Sequence, residues 1–356
     1  MAVTPRIDPV RLEEFMGRFV QDFGAGATAP LVVLGDKLGL YRAMADGAPV
    51  TPAQLAQRTE CNERYLREWL CQQAASGYVD YDAGAGTFRL PPEQALALAD
   101  DRSPAFIAGA FQVLAAMVKD EPRVAERFRS GDGLAWHEHD HDLFEGTERF
   151  FRPGYLANLV DSWLPALDGV TDKLEAGARV ADIGCGHGAS TILMAEAYPR
   201  STFVGSDYHE GSIEAARRSA EHAGVADRVT FELAPAKAFA GGPFDLVCVF
   251  DALHDMGDPV GAARHVRSQL APDGTWMVVE PFAKDAVEEN LNPVGRVFYA
   301  ASTLICTPAS LSQEVGAALG AQAGEKRLTE VLTAGGFTRI RRAAETPFNL
   351  VLEARP

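Results

Sequence analysis

The chain of 356 residues has few cysteines, no long apolar run and no leader-like N-terminus. Its five cysteines are scattered and nowhere spaced as Cys-x-x-Cys, which argues against a disulfide framework and a structural zinc site. The longest apolar stretch, residues 105–118, is interrupted by Gln112 and is too short to span a bilayer. Residues 1–14 are polar and do not read as a signal peptide. We therefore expect a cytoplasmic protein with no membrane segment.

Positive charge is also scarce. The chain has 33 Lys and Arg residues against 49 Asp and Glu, and its formal net charge is −16. Binding to nucleic acid depends on neutralising phosphates with Lys and Arg, and the sequence shows no basic run that would do so. We therefore expect a small-molecule partner and no nucleic-acid partner.

Residues 1–100 are predicted to form a mostly helical winged-helix domain. Helical spacing of apolar residues appears in three stretches, and two short β-prone segments follow with a glycine-containing turn between them. Thr51 and Pro52 are typical of a helix start. The predicted helices cover residues 31–44, 53–58 and 62–76, and the hairpin strands cover residues 78–81 and 87–90.

A winged helix often reads DNA through its third helix. Here the charges of that helix cancel, because it carries Glu63, Arg64, Arg67 and Glu68. The apolar helices also exceed what one small core needs. We therefore expect this domain to be a platform for a homodimer and not a DNA reader.

Residues 101–170 are predicted to be a helical linker rich in aromatic side chains. Most of these residues are expected in the core. Some can line a ligand pocket, which is commonly apolar with a few polar groups. We predict that Phe150 and Tyr155 contact the substrate.

Residues 171–356 alternate between strand and helix patterns, as in an open sheet with helices on both faces. The fold class is therefore predicted to be α/β, with a Rossmann-like seven-stranded sheet behind the winged-helix domain. The predicted strands are residues 179–183, 202–206, 229–233, 244–250, 275–279, 338–343 and 349–354. The predicted helices are residues 190–197, 211–223, 260–270 and 326–334.

The most informative segment follows the first of these strands. Asp182 precedes Gly184, Gly186 and Gly188, in the spacing Gly-x-Gly-x-Gly. A dinucleotide site requires Gly-x-Gly-x-x-Gly to cradle a pyrophosphate. An acidic residue beside the shorter spacing suits a ligand with an ammonium group and no phosphate, and S-adenosylmethionine fits that description. The alternative is a glycine turn that only closes a β-α crossover.

The next three strands supply further candidate cofactor contacts at their carboxyl ends, where such sheets bind ligands. A carboxylate at Asp207 can accept hydrogen bonds from both ribose hydroxyls. The remaining predicted cofactor-binding residues lie at the ends of the second, third and fourth strands and are Tyr208, Pro235, Ala236, Phe250 and Asp251.

With these residues in place, the sequence resembles the class I S-adenosylmethionine-dependent methyltransferases over residues 171–356. The family's acidic residue and Gly-x-Gly-x-Gly match Asp182, Gly184, Gly186 and Gly188, and its ribose-binding acid matches Asp207. The whole chain resembles a mycobacterial and actinomycete group of methyltransferases. It is also similar in plan to plant and antibiotic O-methyltransferases, which dimerise through an N-terminal winged-helix domain. The resemblance implies a methyltransferase with S-adenosylmethionine as cofactor.

His254 is the candidate catalytic residue. It follows the fourth strand, and His254-Asp255 resembles the His-Asp segment of plant-type O-methyltransferases, where the histidine is the general base. An imidazole suits that role because its pKa lies near neutrality. The family's tryptophan after His-Asp is replaced by Met256. A histidine that only packs against the cofactor is the alternative.

Two further segments carry candidate residues. His137, His139 and His141 alternate with acidic residues and could bind a metal, but a polar loop explains them equally simply, and we predict no metal. Residues 290–313 interrupt the sheet pattern, and insertions at this place commonly cover the substrate in the family. Phe298 and Tyr299 are therefore predicted substrate contacts, with an uncharged or aromatic acceptor.

The sequence thus predicts methyl transfer from S-adenosylmethionine to a small apolar or aromatic molecule, with oxygen as the acceptor atom. One alternative is transfer to carbon or nitrogen on the same scaffold. Another is a transcription regulator that senses S-adenosylmethionine, which would require a positive face on the winged helix.

Overall fold

The computed structural model describes residues 7–356, which divide into two compact units between Ala115 and Ala116. The first unit is mainly helical and carries one two-stranded hairpin. Within the described residues, no helix is both long and apolar enough to cross a membrane. The elements of the first unit are α1 (Pro9–Lys37), α2 (Leu40–Ala43), α3 (Pro52–Thr59), α4 (Glu63–Ala75), β1 (Asp80–Asp82), β2 (Thr87–Arg89) and α5 (Pro92–Leu98).

One predicted helix is wrong in its extent. The sequence pattern placed a single helix at residues 31–44, but α1 already begins at Pro9 and ends at Lys37. Gly39 then adopts a left-handed conformation with φ of 67°, which a helix cannot continue through, and α2 starts anew. The predicted start at Thr51 is confirmed, because its hydroxyl accepts a hydrogen bond from the Gln54 N–H in a capping box.

The core of the first unit lies between α1, α2 and α4. Tyr41 packs against Trp69, and its hydroxyl donates to Oε1 of the buried Gln73 at 2.6 Å. Trp69 donates its indole N–H to the Leu31 carbonyl at 2.9 Å. On the exposed face of α4, Arg64 pairs with Glu68, so these charges balance each other at close range.

The second unit is a three-layer α/β domain that begins within α6 (Ala108–Ser130). Its sheet has seven strands, which confirms the predicted fold class. The strands are β3 (Arg179–Ile183), β4 (Thr202–Asp207), β5 (Val229–Leu233), β6 (Phe244–Phe250), β7 (Leu270–Pro281), β8 (Arg339–Glu345) and β9 (Asn349–Arg355). The helices are α7 (Asp142–Asn158), α8 (Val170–Ala176), α9 (Ala189–Ala197), α10 (Glu210–Ala223), α11 (Pro259–Gln269), α12 (Pro293–Ala301), α13 (Thr307–Leu311) and α14 (Gly324–Ala334).

The sheet has the order β5-β4-β3-β6-β7-β9-β8. Strands β3 to β7 pair in parallel, and β9 pairs antiparallel with both β7 and β8. The chain leaves β3 toward β4 and β5 and then crosses back to β6, so the order reverses between β3 and β6. Such a reversal opens a crevice at the carboxyl ends of the strands, where ligands bind in folds of this kind.

Separate hydrophobic clusters cover the two faces of the sheet. One cluster contains Trp163, Ile213 and Phe231, and the other contains Val266, Leu332 and Phe337. Short turns with tighter or wider winding than an α-helix connect several elements, including a 3₁₀ turn at Leu253–Asp255 and a π-helical turn at Ser302–Cys306. Wider turns of this kind are frequent at functional sites.

Candidate active site

The glycine loop after β3 has a backbone path that only glycine follows easily. Gly184, Gly186 and Gly188 have φ of 71°, 52° and 81°. A Cβ on Gly188 would lie 2.6 Å from the Phe231 ring, and a Cβ on Gly205 of β4 would lie 2.5 Å from the same ring. The positive φ angles and the close packing against Phe231 therefore both favour glycine in this loop.

Asp182 lies beneath this loop and not on the ligand side. Its side chain is buried, and its Oδ2 accepts hydrogen bonds from the hydroxyls of Ser190 at 2.7 Å and Thr191 at 2.6 Å. Burial raises the pKa of Asp182 to about 6, although both hydroxyls oppose the shift. The prediction that this carboxylate faces an ammonium group does not match its position. Through these two hydrogen bonds, the Asp182 carboxylate connects the start of α9 to β3.

Asp207 lies at the end of β4, and its side chain faces the glycine loop. Its Oδ2 accepts a hydrogen bond from the Gly186 N–H at 3.0 Å, and its Oδ1 accepts one from the His209 N–H at 2.9 Å. Burial raises the pKa of Asp207, while the two backbone N–H groups counteract that shift. The carboxylate lines a cavity and keeps lone pairs for a ligand.

The cavity opens at the carboxyl ends of β3, β4 and β6. Its empty space, with the solvent-filled mouth included, is about 1180 Å³. Nine of the predicted site residues line it, namely Tyr155, Gly184, Gly186, Asp207, Tyr208, Pro235, Ala236, Phe250 and Asp251. Six do not, namely Phe150, Asp182, Gly188, His254, Phe298 and Tyr299.

Asp251 forms the floor of the cavity after β6. It is a non-glycine residue with a left-handed φ of 50°, a conformation that concentrates at functional sites. Tyr155 donates its hydroxyl to Oδ2 at 3.2 Å, and Asn349 donates its amide to Oδ1 at 3.2 Å. Burial and the nearby Glu280 carboxylate raise the pKa of Asp251 well above its ordinary value.

His254 does not reach the cavity. Its side chain is about 4% exposed; Nδ1 lies 2.5 Å from Oε2 of Glu280, and Nε2 lies 3.1 Å from Oδ1 of Asp255. Burial alone would lower the pKa of His254, but the two carboxylates outweigh it and hold the pKa well above its usual value. Both ring nitrogens lie beside carboxylates, and neither faces a substrate in the cavity. The arrangement therefore does not support the predicted general-base role.

Asp255, beside His254, does line the cavity. Aromatic residues also line the cavity, including Trp136, Phe144 and Phe151. The sequence pattern predicted Phe150 as a substrate contact instead of Phe151. On a helix, consecutive residues point about 100° apart, so α7 turns Phe151 into the cavity while Phe150 packs against its ring at 4.9 Å.

The segment after β7 also reaches the cavity, but through other residues than expected. Phe298 of α12 is buried against Phe348, with ring centroids 6.4 Å apart, and neither Phe298 nor Tyr299 lines the cavity. Ala309 and Gln313, which follow the π-helical turn, line it instead. No periodic pattern in the sequence indicated these two residues, because the π-helical turn shifts the register of the helix.

The three alternating histidines point to different neighbours. His139 is buried, and its Nδ1 lies 2.7 Å from Oδ2 of Asp120. His137 packs edge-on against Tyr208, and His141 packs edge-on against Phe144. They do not form a set with metal-ligand spacing within the described residues; the set that does is His254, Asp255 and Cys306.

Comparison with known proteins agrees with this geometry. Residues 174–336 match the family model of a methyltransferase domain, and residues 26–100 match that of the Rv2258c-like winged HTH domain. A curated relative is the 27-O-demethylrifamycin SV methyltransferase of Amycolatopsis mediterranei, which is 34% identical over 169 residues. That match covers 45% of this chain and 57% of the relative, so the chain spans little more than half of its length.

Solved structures share the fold over the full chain. A mitomycin 7-O-methyltransferase aligns with a TM-score of 0.67 at 22% identity, covering 98% of this chain and 100% of that one. Human N-acetylserotonin methyltransferase in complex with S-adenosylmethionine aligns with a TM-score of 0.70 at 15% identity, covering 99% of each chain. The sheet order and the glycine loop agree with the two family matches: residues 174–336 belong to a methyltransferase domain, and residues 26–100 belong to an Rv2258c-like winged helix-turn-helix domain.

Proposed function

We propose that the protein transfers the methyl group of S-adenosylmethionine to a hydroxyl oxygen of a small apolar or aromatic molecule. The observation that carries the proposal is one cavity with two chemically different walls. The glycine loop and Asp207 form the first wall, and aromatic side chains form the second.

The first wall suits the cofactor. Asp207 holds a carboxylate at the place where ribose hydroxyls can donate to it, and Pro235 and Ala236 offer an apolar surface to an adenine ring. The glycines bring the backbone close to the amino-acid end of the cofactor. The related N-acetylserotonin methyltransferase structure contains S-adenosylmethionine, which supports the same ligand here.

The second wall suits the acceptor. Trp136, Phe144, Phe151 and Tyr155 offer ring faces and edges, against which an aromatic acceptor can stack. The names of the rifamycin and mitomycin methyltransferases refer to transfer to oxygen, which supports oxygen as the acceptor atom. Holding the acceptor next to the methyl group lowers the barrier by orientation alone.

Transfer to nitrogen or carbon is the second candidate. It is favoured by the enclosure of His254 between Asp255 and Glu280, since an amine or a nucleophilic carbon can accept a methyl group without an imidazole base. In either case the residues of the chain bind and orient the cofactor and the acceptor and exclude water from them. The cofactor supplies the electrophilic methyl group.

Calorimetry and product analysis test this proposal. We expect the unmutated protein to bind S-adenosylmethionine with a Kd in the micromolar range, roughly −8 kcal/mol. Tritiated methyl transfer into extracts of the source organism, followed by identification of the labelled product, then gives the acceptor atom. Absence of cofactor binding would overturn the proposal, and an N- or C-methylated product would replace it by the second candidate.

We also propose that the protein is a homodimer that buries α1. Five large apolar side chains of this helix, Phe15, Met16, Phe19, Val20 and Phe23, are 48–68% exposed. They recur every three or four residues and so form one stripe, as at a helix interface. A contiguous apolar stripe of this size is typical of an interaction surface, and two-fold pairing of identical chains is the commonest use of one.

Light scattering coupled to size exclusion tests the dimer. We expect twice the chain mass at micromolar concentration for the unmutated protein. The double variant Phe19→Glu, Phe23→Glu should give the monomer mass because it places charges in the apolar stripe. Tyr65→Glu changes an even more exposed aromatic residue on α4 and should leave the dimer intact. A monomer for the unmutated protein would contradict the proposal.

A further inference from the structure

We propose that His254, Asp255 and Cys306 bind a divalent transition-metal ion at the wall of the cavity, with zinc as the best match. The three side chains come from two separate segments of the chain. His254 and Asp255 belong to the 3₁₀ turn after β6, and Cys306 ends the π-helical turn between α12 and α13. Their donor atoms all lie within 4.8 Å of one another.

The donor set matches zinc chemistry. Zinc commonly takes thiolate, imidazole and carboxylate ligands in a tetrahedral arrangement, whose neighbouring donors lie about 3.3–3.6 Å apart. Nε2 of His254 and Oδ1 of Asp255 are already 3.1 Å apart, and adjustments of about 1 Å would bring the thiol to the same spacing. A mixed set containing sulfur does not suit magnesium or calcium, which prefer oxygen ligands.

The second nitrogen of His254 is held as metal-bound histidines usually are. Glu280 accepts from Nδ1 at 2.5 Å, which directs Nε2 toward Asp255 and Cys306. A carboxylate that orients a histidine in this way is the usual outer partner of a zinc ligand. Glu280 also accepts the Leu253 N–H at 2.9 Å, so one side chain fixes both the ring and the backbone before it.

The three side chains already contact one another inside the protein. Oδ1 of Asp255 is buried and lies 3.1 Å from Nε2 of His254, and the donor atoms of all three residues lie within 4.8 Å of one another. An imidazole, a carboxylate and a thiol enclosed at one point form a set of ligands that a transition metal can bind. A cation placed between Nε2, Oδ1 and Sγ would satisfy all three atoms.

Hydrogen bonds around the site fix the positions of the two segments relative to each other. Gln313 donates to the Asp255 carbonyl at 2.9 Å and accepts the Gly257 N–H at 3.0 Å, and the Ser310 hydroxyl donates to the Met256 carbonyl at 2.9 Å. These bonds join the helix after Cys306 to the turn of His254 and Asp255. A metal site requires such a prearranged set of ligands.

Metal binding balances in charge and protons. One dication enters, and the imidazolium proton and the thiol proton leave to solvent, so the net charge of the cluster is unchanged. Asp255 lines the cavity, so a fourth position can be reached from there. An acceptor oxygen at that position would lose its proton to solvent more easily. This role rests on the proposed methyl transfer, whereas the site itself does not.

Cobalt titration tests the site without a methyl acceptor. The full chain is first treated with chelator and then titrated with Co²⁺, with absorbance as the readout and Zn²⁺ as competitor. We expect one cobalt per chain with a thiolate-to-cobalt charge-transfer band, displaced by zinc. Cys306→Ser should remove the band and weaken binding by at least about 100-fold, and Glu280→Gln should weaken it by about 10–100-fold. Cys71→Ser removes an exposed thiol and should change nothing.

Two outcomes would overturn the metal site. One is no stoichiometric cobalt binding by the unmutated chain, and the other is an unchanged band in Cys306→Ser. Unfolding curves identify variants that fail to fold, and in that case Glu280→Gln, which retains the side-chain shape, decides. Calorimetry with S-adenosylmethionine on the same chelator-treated samples separates the two proposals, because cofactor binding without cobalt binding contradicts only the metal site.

Discussion

Replacing Asp207 by alanine is expected to weaken binding of S-adenosylmethionine by about 1.5–3 kcal/mol, or roughly 10- to 150-fold. The proposed hydrogen bonds from the ribose reach a charged acceptor in a partly enclosed cavity, where each such bond is strong. The change also removes the acceptor for the Gly186 and His209 N–H groups, which Asp207 holds at 3.0 and 2.9 Å. Isothermal calorimetry with the unmutated protein and the variant gives the difference directly.

Two controls make this test specific. Asp227→Ala removes the same charge from an exposed position of the same unit and should leave the affinity unchanged. Asp207→Asn keeps one acceptor oxygen and should lose less affinity than alanine. Equal affinity of Asp207→Ala and the unmutated protein would show that the ribose does not contact this residue.

The affinity should also depend on pH through Asp207. The ribose donates best to the ionised carboxylate, and burial raises the pKa of Asp207 above its ordinary value. Affinity is therefore full above the raised pKa and falls as the pH decreases through it. Calorimetry from pH 7.5 downward should show this decrease in the unmutated protein and a flatter profile in Asp207→Asn.

Replacing Glu280 by alanine is expected to lower the free energy of unfolding by about 3–5 kcal/mol. Glu280 is 2% exposed and pairs with the equally buried His254. Without the carboxylate, a buried imidazolium loses its nearest partner, and the Leu253 N–H loses its acceptor. Urea unfolding of chelator-treated protein at pH 7 measures the loss.

Glu280→Gln is the matched variant. Its amide oxygen can still accept the Leu253 N–H, and its volume is the same, so only the charge is lost. We expect a smaller destabilisation than for alanine. If Glu280→Ala unfolds within about 0.5 kcal/mol of the unmutated protein, the pair with His254 contributes no stability and its role is limited to orientation.

Much of the fold could be predicted because the strands carry their own pattern. The buried strands of the parallel sheet are short apolar runs, and β4 and β6 lead directly into Asp207 and Asp251. The glycine loop could be predicted as well, because its spacing pattern lies within a few consecutive residues. The extent of the helix at residues 31–44 was wrong because apolar periodicity continues through Gly39, whereas its backbone does not.

The site could be predicted less completely, because orientation depends on partners far along the chain. His254 lies where the sequence pattern placed it, but Glu280, 26 residues later on the neighbouring strand, turns the ring away from the cavity. Asp182 was correctly placed at the end of β3, yet the hydroxyls of Ser190 and Thr191 draw its carboxylate beneath the loop. Neither contact follows from local spacing.

Phe231 packs against two glycines that differ in how well they would tolerate replacement by alanine. A Cβ at Gly188 or Gly205 meets the same ring, at 2.6 and 2.5 Å. Gly188 also has a φ of 81°, whereas Gly205 lies in β4 without such a restriction. A smaller side chain at position 231 would therefore relieve the main clash of alanine at 205 and leave a tight contact with Cys185 Sγ at 3.0 Å, but it would still leave alanine at 188 strained by its positive φ. Substitutions at 231 and 205 are epistatic as a pair, while Gly188 stays constrained in either background.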